Sequence, residues 1–239
     1  MRAQVRTVCV QPVRILLDVE GIEPRRVALE KQLEQQVRRS GFTVVAGDAV
    51  DEVWMGVVGR EGGYFDPHTG WRNEERFEAI SRLARSEVRR ELGCDAILIS
   101  AVVPVVASFI EGTISWDGVR ESYRGSHGSS GWVAALSLHV RLLDMADREI
   151  YFFAGGIQPL LSIDRGFFSS SFRSAEVEQL LADEGVRLRA VNLALEPLLP
   201  EEVLNPPETV RNPELRNPRD RLREEMRREV EPVGADEPS

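Results

Sequence analysis

At 239 residues the chain has room for one large domain or two small ones, and its 42% hydrophobic and 29% charged content is that of an ordinary soluble globular protein. A net charge of −9 leaves no global basic field to hold nucleic acid. No apolar run is long enough to span a bilayer as a helix, and the two cysteines, Cys9 and Cys94, have the wrong spacing for a zinc site and are too sparse for a disulfide framework.

Val5 to Leu17 reads as a first strand that ends or bulges at Pro12, since proline cannot donate to a ladder. Cys9 within it is expected as a small buried hydrophobe, as is Cys94 later. After a turn at Gly21, Pro24 suits the first turn of a helix that buries Val27, Leu29, Leu33 and Val37. Arg38 and Arg39 complement its dipole and Gly41 supplies a left-handed cap. Phe42 to Ala46 is a short second strand. Val50, Val53, Trp54, Val57 and Val58 predict a short helix. The loop Gly59–Asn73 is rich in glycine yet carries Tyr64, Phe65 and Trp71, rings large enough to hold it in one place, with a tight turn at Asp66-Pro67-His68-Thr69-Gly70.

Asn73 caps the next helix, Glu74 and Glu75 occupy its first turn, and Phe77, Ile80, Leu83, Ala84, Val88 and Leu92 recur at helical spacing until Gly93. The near-continuous apolar run Ala96–Val103 then predicts a strand buried on both faces, at the centre of the sheet. On that reading Ile99→Ala costs about 2–5 kcal/mol. Pro104 permits a bend before another strand over Phe109–Asp117, with Ile110, Gly112, Ile114 and Trp116 on one side. Gly118–Gly131 has the composition of a flexible loop. Trp132 to Leu142 alternates strictly, and Glu149–Gly156 returns as its hairpin partner. Ser174 is expected to cap a helix carrying Val177, Leu180 and Leu181, interrupted at Gly185 and resuming over Val186–Leu199. The fold class predicted is α/β, an α+β sandwich with a mixed central sheet of about five to six strands, β-α-β-α-β and then an antiparallel hairpin. It occupies residues 1–199 as a single domain, and 200–239 is a Pro/Arg/Glu-rich tail expected to be disordered.

Catalytic chemistry finds little support. His68, His127 and His139 are the only histidines, and none stands in a nucleophile-elbow context. His139 reads as a surface residue on a strand, and His68 as part of the Asp66 turn. The glycines Gly56, Gly59, Gly62 and Gly63 follow no strand, and Glu61 would repel a phosphate. Asp66, His68, Glu74 and Glu75 make a poor metal set. No catalytic residue, cofactor or metal site is predicted. The aromatics Tyr64, Phe65, Trp71, Trp116 and Trp132 are the candidate partner surface, provided that they are exposed.

The opening strand Val8-Cys9-Val10-Gln11-Pro12, the helix ending at Gly41 before Phe42-Thr43-Val44-Val45, and the run Leu92-Gly93-Cys94-Asp95-Ala96-Ile97-Leu98-Ile99-Ser100 together form a pattern. So does Leu136–Asp144 followed by Arg148-Glu149-Ile150-Tyr151. Over about residues 5–195 this resembles a bacterial envelope lipoprotein domain, the family that includes the curli secretion subunit CsgG, the penicillin-binding-protein activator LpoB and the N-terminal domain of TolB. The leucine-glycine-alanine-aspartate entry to that family's third strand stands here as Leu92-Gly93-Cys94-Asp95.

The resemblance implies a noncatalytic envelope component working through contacts with other envelope proteins or with itself. The alternatives are a CsgG-like secretion pore, for which only Val105–Trp116 and Trp132–Leu143 could supply membrane strands, and an α/β hydrolase. Nucleic acid is not an expected partner, and a membrane is expected only through an N-terminal lipid anchor. As written, the sequence carries no leader and predicts a cytoplasmic location. The resemblance implies a periplasmic or outer-membrane location, with a signal peptide encoded upstream of Met1.

Overall fold

The computed structural model describes residues 5–17, 19–122, 130–165, 170–174 and 179–199. The elements run β1 (Thr7–Val10), β2 (Arg14–Ile15), α1 (Glu23–Arg39), β3 (Thr43–Val45), α2 (Gly47–Arg60), α3 (Glu74–Leu92), β4 (Ala96–Ile110) and β5 (Thr113–Trp116). They continue as β6 (Val119–Ser122), β7 (Ser130–Asp144), β8 (Glu149–Pro159), β9 (Leu161–Arg165), β10 (Ser170–Ser174) and α4 (Glu184–Leu195). The expected mixed sheet with helices packed on it is present, with eight strands rather than five or six. β9 and β10 form a separate two-stranded sheet. The tail 200–239 and His127 lie outside the described residues.

β4 is the spine. Along one edge it pairs in parallel with β1 (Val8↔Ala96 to Val10↔Leu98) and β2 (Arg14↔Ala101), then antiparallel with β5 from Ser108 to Ile110. Along its other edge it pairs with β7 over its whole length, from Ala96↔Asp144 to Ile110↔Ser130, and β8 lies outside β7. Pro104 falls between the residues paired with β2 and those paired with β5. A missing N–H on that edge therefore breaks no ladder bond seen among the described residues.

The helix signals in the sequence are realised in detail. Asn73 accepts from the Arg76 N–H, and Gly93 ends α3 in the left-handed conformation at φ 67°. Gly41 takes φ 87° just after α1. The register Cys9↔Ile97 puts these two side chains on the α2/α3 face, where Val50 and Val88 pack on them. Alternate residues Val8, Val10, Leu98 and Val102 are buried on the opposite face. There α4 lies so close to β8 that a Cβ on Gly155 would stand 2.0 Å from the Ala190 carbonyl oxygen. The Tyr151 hydroxyl donates to the Ala194 carbonyl at 2.5 Å, and burial raises its pKa.

Midway along β4 and β7 the buried face changes. From Ala96 to Val102 the even-numbered side chains are covered; beyond Pro104 the covered ones are Ala107 and Phe109, while Val106 and Ile110 are 71% and 59% exposed. A register shift between Leu136 and Ser137 marks the crossing on β7, where a bulge increases local twist. The β5–β6 hairpin then covers the odd-numbered face. Trp116 donates its indole N–H to the Leu136 carbonyl at 3.1 Å, Gly156 donates to the Asp117 carbonyl at 2.9 Å, and Ser137 donates to the Asp117 carboxylate. Beneath it Ala107, Phe109, Ile114, Trp116, Val119, Val133 and Ala135 form a second core.

Several expectations are corrected. The run from Ala96 to Val103 is not buried on both faces, because Ile99, Ala101 and Val103 are only half-buried. Phe109 and Ile110 belong to β4, and a two-residue turn at Glu111-Gly112, both at positive φ, starts β5. A second such turn at Asp117-Gly118 makes Val119–Ser122 a strand where a flexible loop was expected. Leu83 is exposed, since α3 turns Ile80, Ala84 and Val88 inward instead. Asp183 caps α4, accepting from the Val186 N–H at 2.9 Å, with Gly185 inside the helix; Ser174 ends β10, and the helix expected to follow it through Val177 lies outside the described residues.

Cys9 and Cys94 are joined by a disulfide, their Cα atoms 5.7 Å apart. The separation of 85 residues concealed the pairing. Parallel alignment of β1 with β4 brings Cys94, two residues before β4, beside β1. Asp95 clamps the same junction, its carboxylate accepting from the Arg6 and Thr7 N–H groups at 2.9 Å each. Those bonds hold its pKa below the usual carboxylate value.

Candidate functional site

The aromatic loop between α2 and α3 is an ordered hairpin. Asn73 donates to the Tyr64 carbonyl and Asp66 to the Trp71 carbonyl, each at 2.8 Å, and Phe65 bridges Arg72. At its tip the Asp66 carboxylate accepts from the His68 and Thr69 N–H groups at 2.8 and 2.9 Å, which lowers its pKa. His68 is thus part of the Asp66 turn, as expected, with Asp66 as the capping residue. The Tyr64 ring meets Phe65 at 4.8 Å and Phe77 of α3 edge-on at 5.1 Å, and the Arg72 guanidinium lies 4.5 Å over the Phe77 ring.

Behind this hairpin lies a cleft of about 970 Å³. One wall is the hairpin with Trp54 of α2; a second is the α3 stripe Phe77, Ser81 and Arg85, with Glu78 and Arg82 beside it. Its floor is Ile97 and Ile99 of β4, and the β7–β8 turn closes the end with Leu143 and Met145–Asp147. Arg14 and Gln11 stand at the β1–β2 side. The cleft exists because α2 and α3 cover β1 and the start of β4 but leave Ile99 half-covered.

Its charged groups are mostly cationic. Arg72 pairs with Glu74 at 2.8 Å, Arg82 with Glu78 at 3.9 Å and Arg85 with Asp147 at 3.2 Å. Ser81 is buried, and its hydroxyl has no hydrogen-bond partner among the described residues. The lining holds no histidine and no cysteine. It offers guanidinium forks, ring faces and the hydroxyls of Ser81 and Tyr64, which is the chemistry of binding. A smaller hollow of about 260 Å³ adjoins it, where burial raises the Asp51 pKa against the lowering effect of Arg14.

The five aromatics expected as one surface separate into three places. Tyr64 and Phe65 line the cleft; Trp71 stands beside it, 78% exposed. Trp116 is 6% exposed and belongs to the second core, so it is no part of a surface. Trp132 is 75% exposed on β7, on the face with Val106 and Ile110. Of the histidines, His68 is on the hairpin tip, and His139 is half-buried on β7 with its ring edge-on to Phe152 at 5.5 Å. Trp54, Phe77, Ser81, Arg82 and Arg85 were not legible as site residues. Phe77 satisfied the core periodicity of α3, and the arginines passed for its solvated face. The i, i+4, i+8 spacing of Phe77, Ser81 and Arg85 was the signal available.

No protein-family model matches the chain, and no curated protein does. Solved structures with a detectable likeness include the PelC dodecamer from Paraburkholderia phytofirmans, at 10% identity and TM-score 0.35 over 82% of this chain and 88% of that one. Lipoprotein GNA1162 from Neisseria meningitidis is 17% identical, with TM-score 0.33 over 64% of this chain and 81% of that one. A neuraminyllactose-binding hemagglutinin homolog from Helicobacter pylori is 9% identical, with TM-score 0.35 over 80% and 81%. At TM-scores of this size the likenesses carry no argument about what this chain does.

Proposed function

We propose that the chain is a noncatalytic component of the bacterial cell envelope that acts through protein contacts, in line with its sequence resemblance to the CsgG, LpoB and TolB domains. The observation that carries this reading is the uncovered face of the β4–β7 arm. Val106, Ile110 and Trp132 stand there exposed, with Ala134 opposite Val106 and Ser108 opposite Trp132, and among the described residues no charged side chain stands between them. An exposed, largely apolar strip that carries a tryptophan has the composition of an interface core. The Cys9–Cys94 disulfide supports a location in an oxidising compartment, hence export. The pore alternative would take for membrane strands the residues Ala107, Phe109, Val133 and Ala135 that build the second core.

The test is a photo-crosslinking side chain at Trp132, in cells, with the exposed Arg39 position of α1 as control. The expected result is an adduct with a second copy of the chain or with an envelope protein, formed at position 132 and absent at 39. No adduct, or equal adducts at both positions, overturns the reading. Export is checked separately: cysteines that resist alkylation until a reductant is added, together with a leader encoded in frame upstream, are expected.

A further inference from the structure

We infer that the cleft beneath the aromatic hairpin binds an acidic peptide segment that carries aromatic or large apolar side chains. The chain as a whole has a net charge of −9, yet four arginines line this one cleft, Arg14, Arg72, Arg82 and Arg85, against two carboxylates, Glu78 and Asp147. Cationic groups gathered in a concave site of an otherwise acidic molecule focus the field on an incoming anion. Arg72 on the hairpin and Arg82 on the helix are both exposed, and surface ion pairs such as theirs with Glu74 and Glu78 hold so little energy that a ligand carboxylate can replace them. Ser81 supplies the second observation: a buried hydroxyl lining the cleft, without a partner among the described residues, is a group that a ligand would satisfy.

The rest of the lining selects among anions. Between the arginines the walls are apolar, with Trp54, Tyr64 and Phe77 around the sides and Ile97, Ile99 and Leu143 below. A bare phosphate or carboxylate would leave these surfaces wet, whereas a peptide with alternating carboxylates and rings covers them and reaches the guanidinium groups at once. This site is separate from the exposed strip of the β4–β7 arm, and the two proposals stand or fall independently.

The test is fluorescence anisotropy of the full chain with a labelled peptide alternating glutamate and phenylalanine. Saturable binding that weakens with added salt is expected, with no binding of the matching lysine–phenylalanine peptide. The double variant Arg72→Gln, Arg82→Gln should weaken binding by about tenfold or more, because two charge-assisted contacts are lost. Trp132→Ser should leave it unchanged. Absence of binding, equal binding of the lysine peptide, an unaltered affinity in the double variant, or tighter binding of an acidic oligosaccharide than of the peptide each overturns the proposal. The peptide-charge and salt arms use the unaltered protein, so they decide the matter even if the double variant is unstable.

Discussion

The two halves of the β4–β7 ribbon are made of the same kind of sequence and meet opposite fates. In the near half, around Leu98, Val102, Leu138 and Leu142, the even-numbered face is buried, and α4 packs on that side at Gly155 and Tyr151. In the far half the even-numbered face, with Val106, Ile110 and Trp132, is bare, and the odd-numbered face is covered by the β5–β6 hairpin. The lesson is that apolar character along a strand reports potential burial only; what covers a face is decided by elements that arrive from elsewhere in the chain. Two tryptophans in this region show the extremes, Trp116 at the centre of the second core and Trp132 in the open.

The contrast can be broken in order of expected effect. Trp116→Ala should cost about 3–5 kcal/mol in a urea titration, since it empties a packed site and removes the indole hydrogen bond to the Leu136 carbonyl. Trp132→Ala in the same assay should stay within about 0.5 kcal/mol of the parent; comparable losses in the two variants would show that the arm is covered in solution. Within the near half the same logic separates neighbours: Leu98→Ala should cost about 2–5 kcal/mol, and Ile99→Ala, on the half-buried cleft floor, distinctly less.

Removing the disulfide with Cys9→Ala and Cys94→Ala should lower stability by about 2–5 kcal/mol. A reductant should produce a similar loss in the parent protein and none in the variant. Gly155→Ala should cost about 1–3 kcal/mol, because its Cβ would collide with the backbone of α4 at Ala190. Loss of near-ultraviolet signal from the β8–α4 contact would accompany it. The equivalent change at Gly131, which has open space around it, should be close to neutral.

The smallest effect is that of pH on Asp95. Its folded pKa lies below the unfolded value because the Thr7 and Arg6 N–H groups bind the ionised form. The stability it contributes is therefore present above the unfolded pKa of about 3.9 and is lost as pH falls through the lower folded value. Asp95→Asn should flatten the acid limb of the stability curve below about pH 4 and leave the neutral region little changed, apart from the weaker hydrogen bonds.

Local chemistry made much of the fold legible. Asn73 and Gly93 bound α3 where the capping rules put them, and Pro12 ended β1. The two-residue turns Glu111-Gly112 and Asp117-Gly118 were missed because the polar stretch around them outweighed the positive-φ signature. The cleft was harder to see. Tyr64 and Phe65 were singled out, but the α3 residues opposite them satisfied two readings at once, core periodicity for Phe77 and a solvated face for Arg82 and Arg85.

By itself the sequence determined the first three helices, most of the strands of the large sheet, and that an apolar ribbon runs through the middle of the chain. Those properties depend on neighbours within a few residues: spacing, caps and the absent N–H of proline. Only the tertiary structure decided that Cys9 meets Cys94, that the ribbon changes its buried face at Pro104 and Leu136, and that arginines of α3 confront the rings of the hairpin. Each of these is a contact between residues far apart in the chain, fixed by strand register and by which helix lands on which face, and no local pattern encodes it.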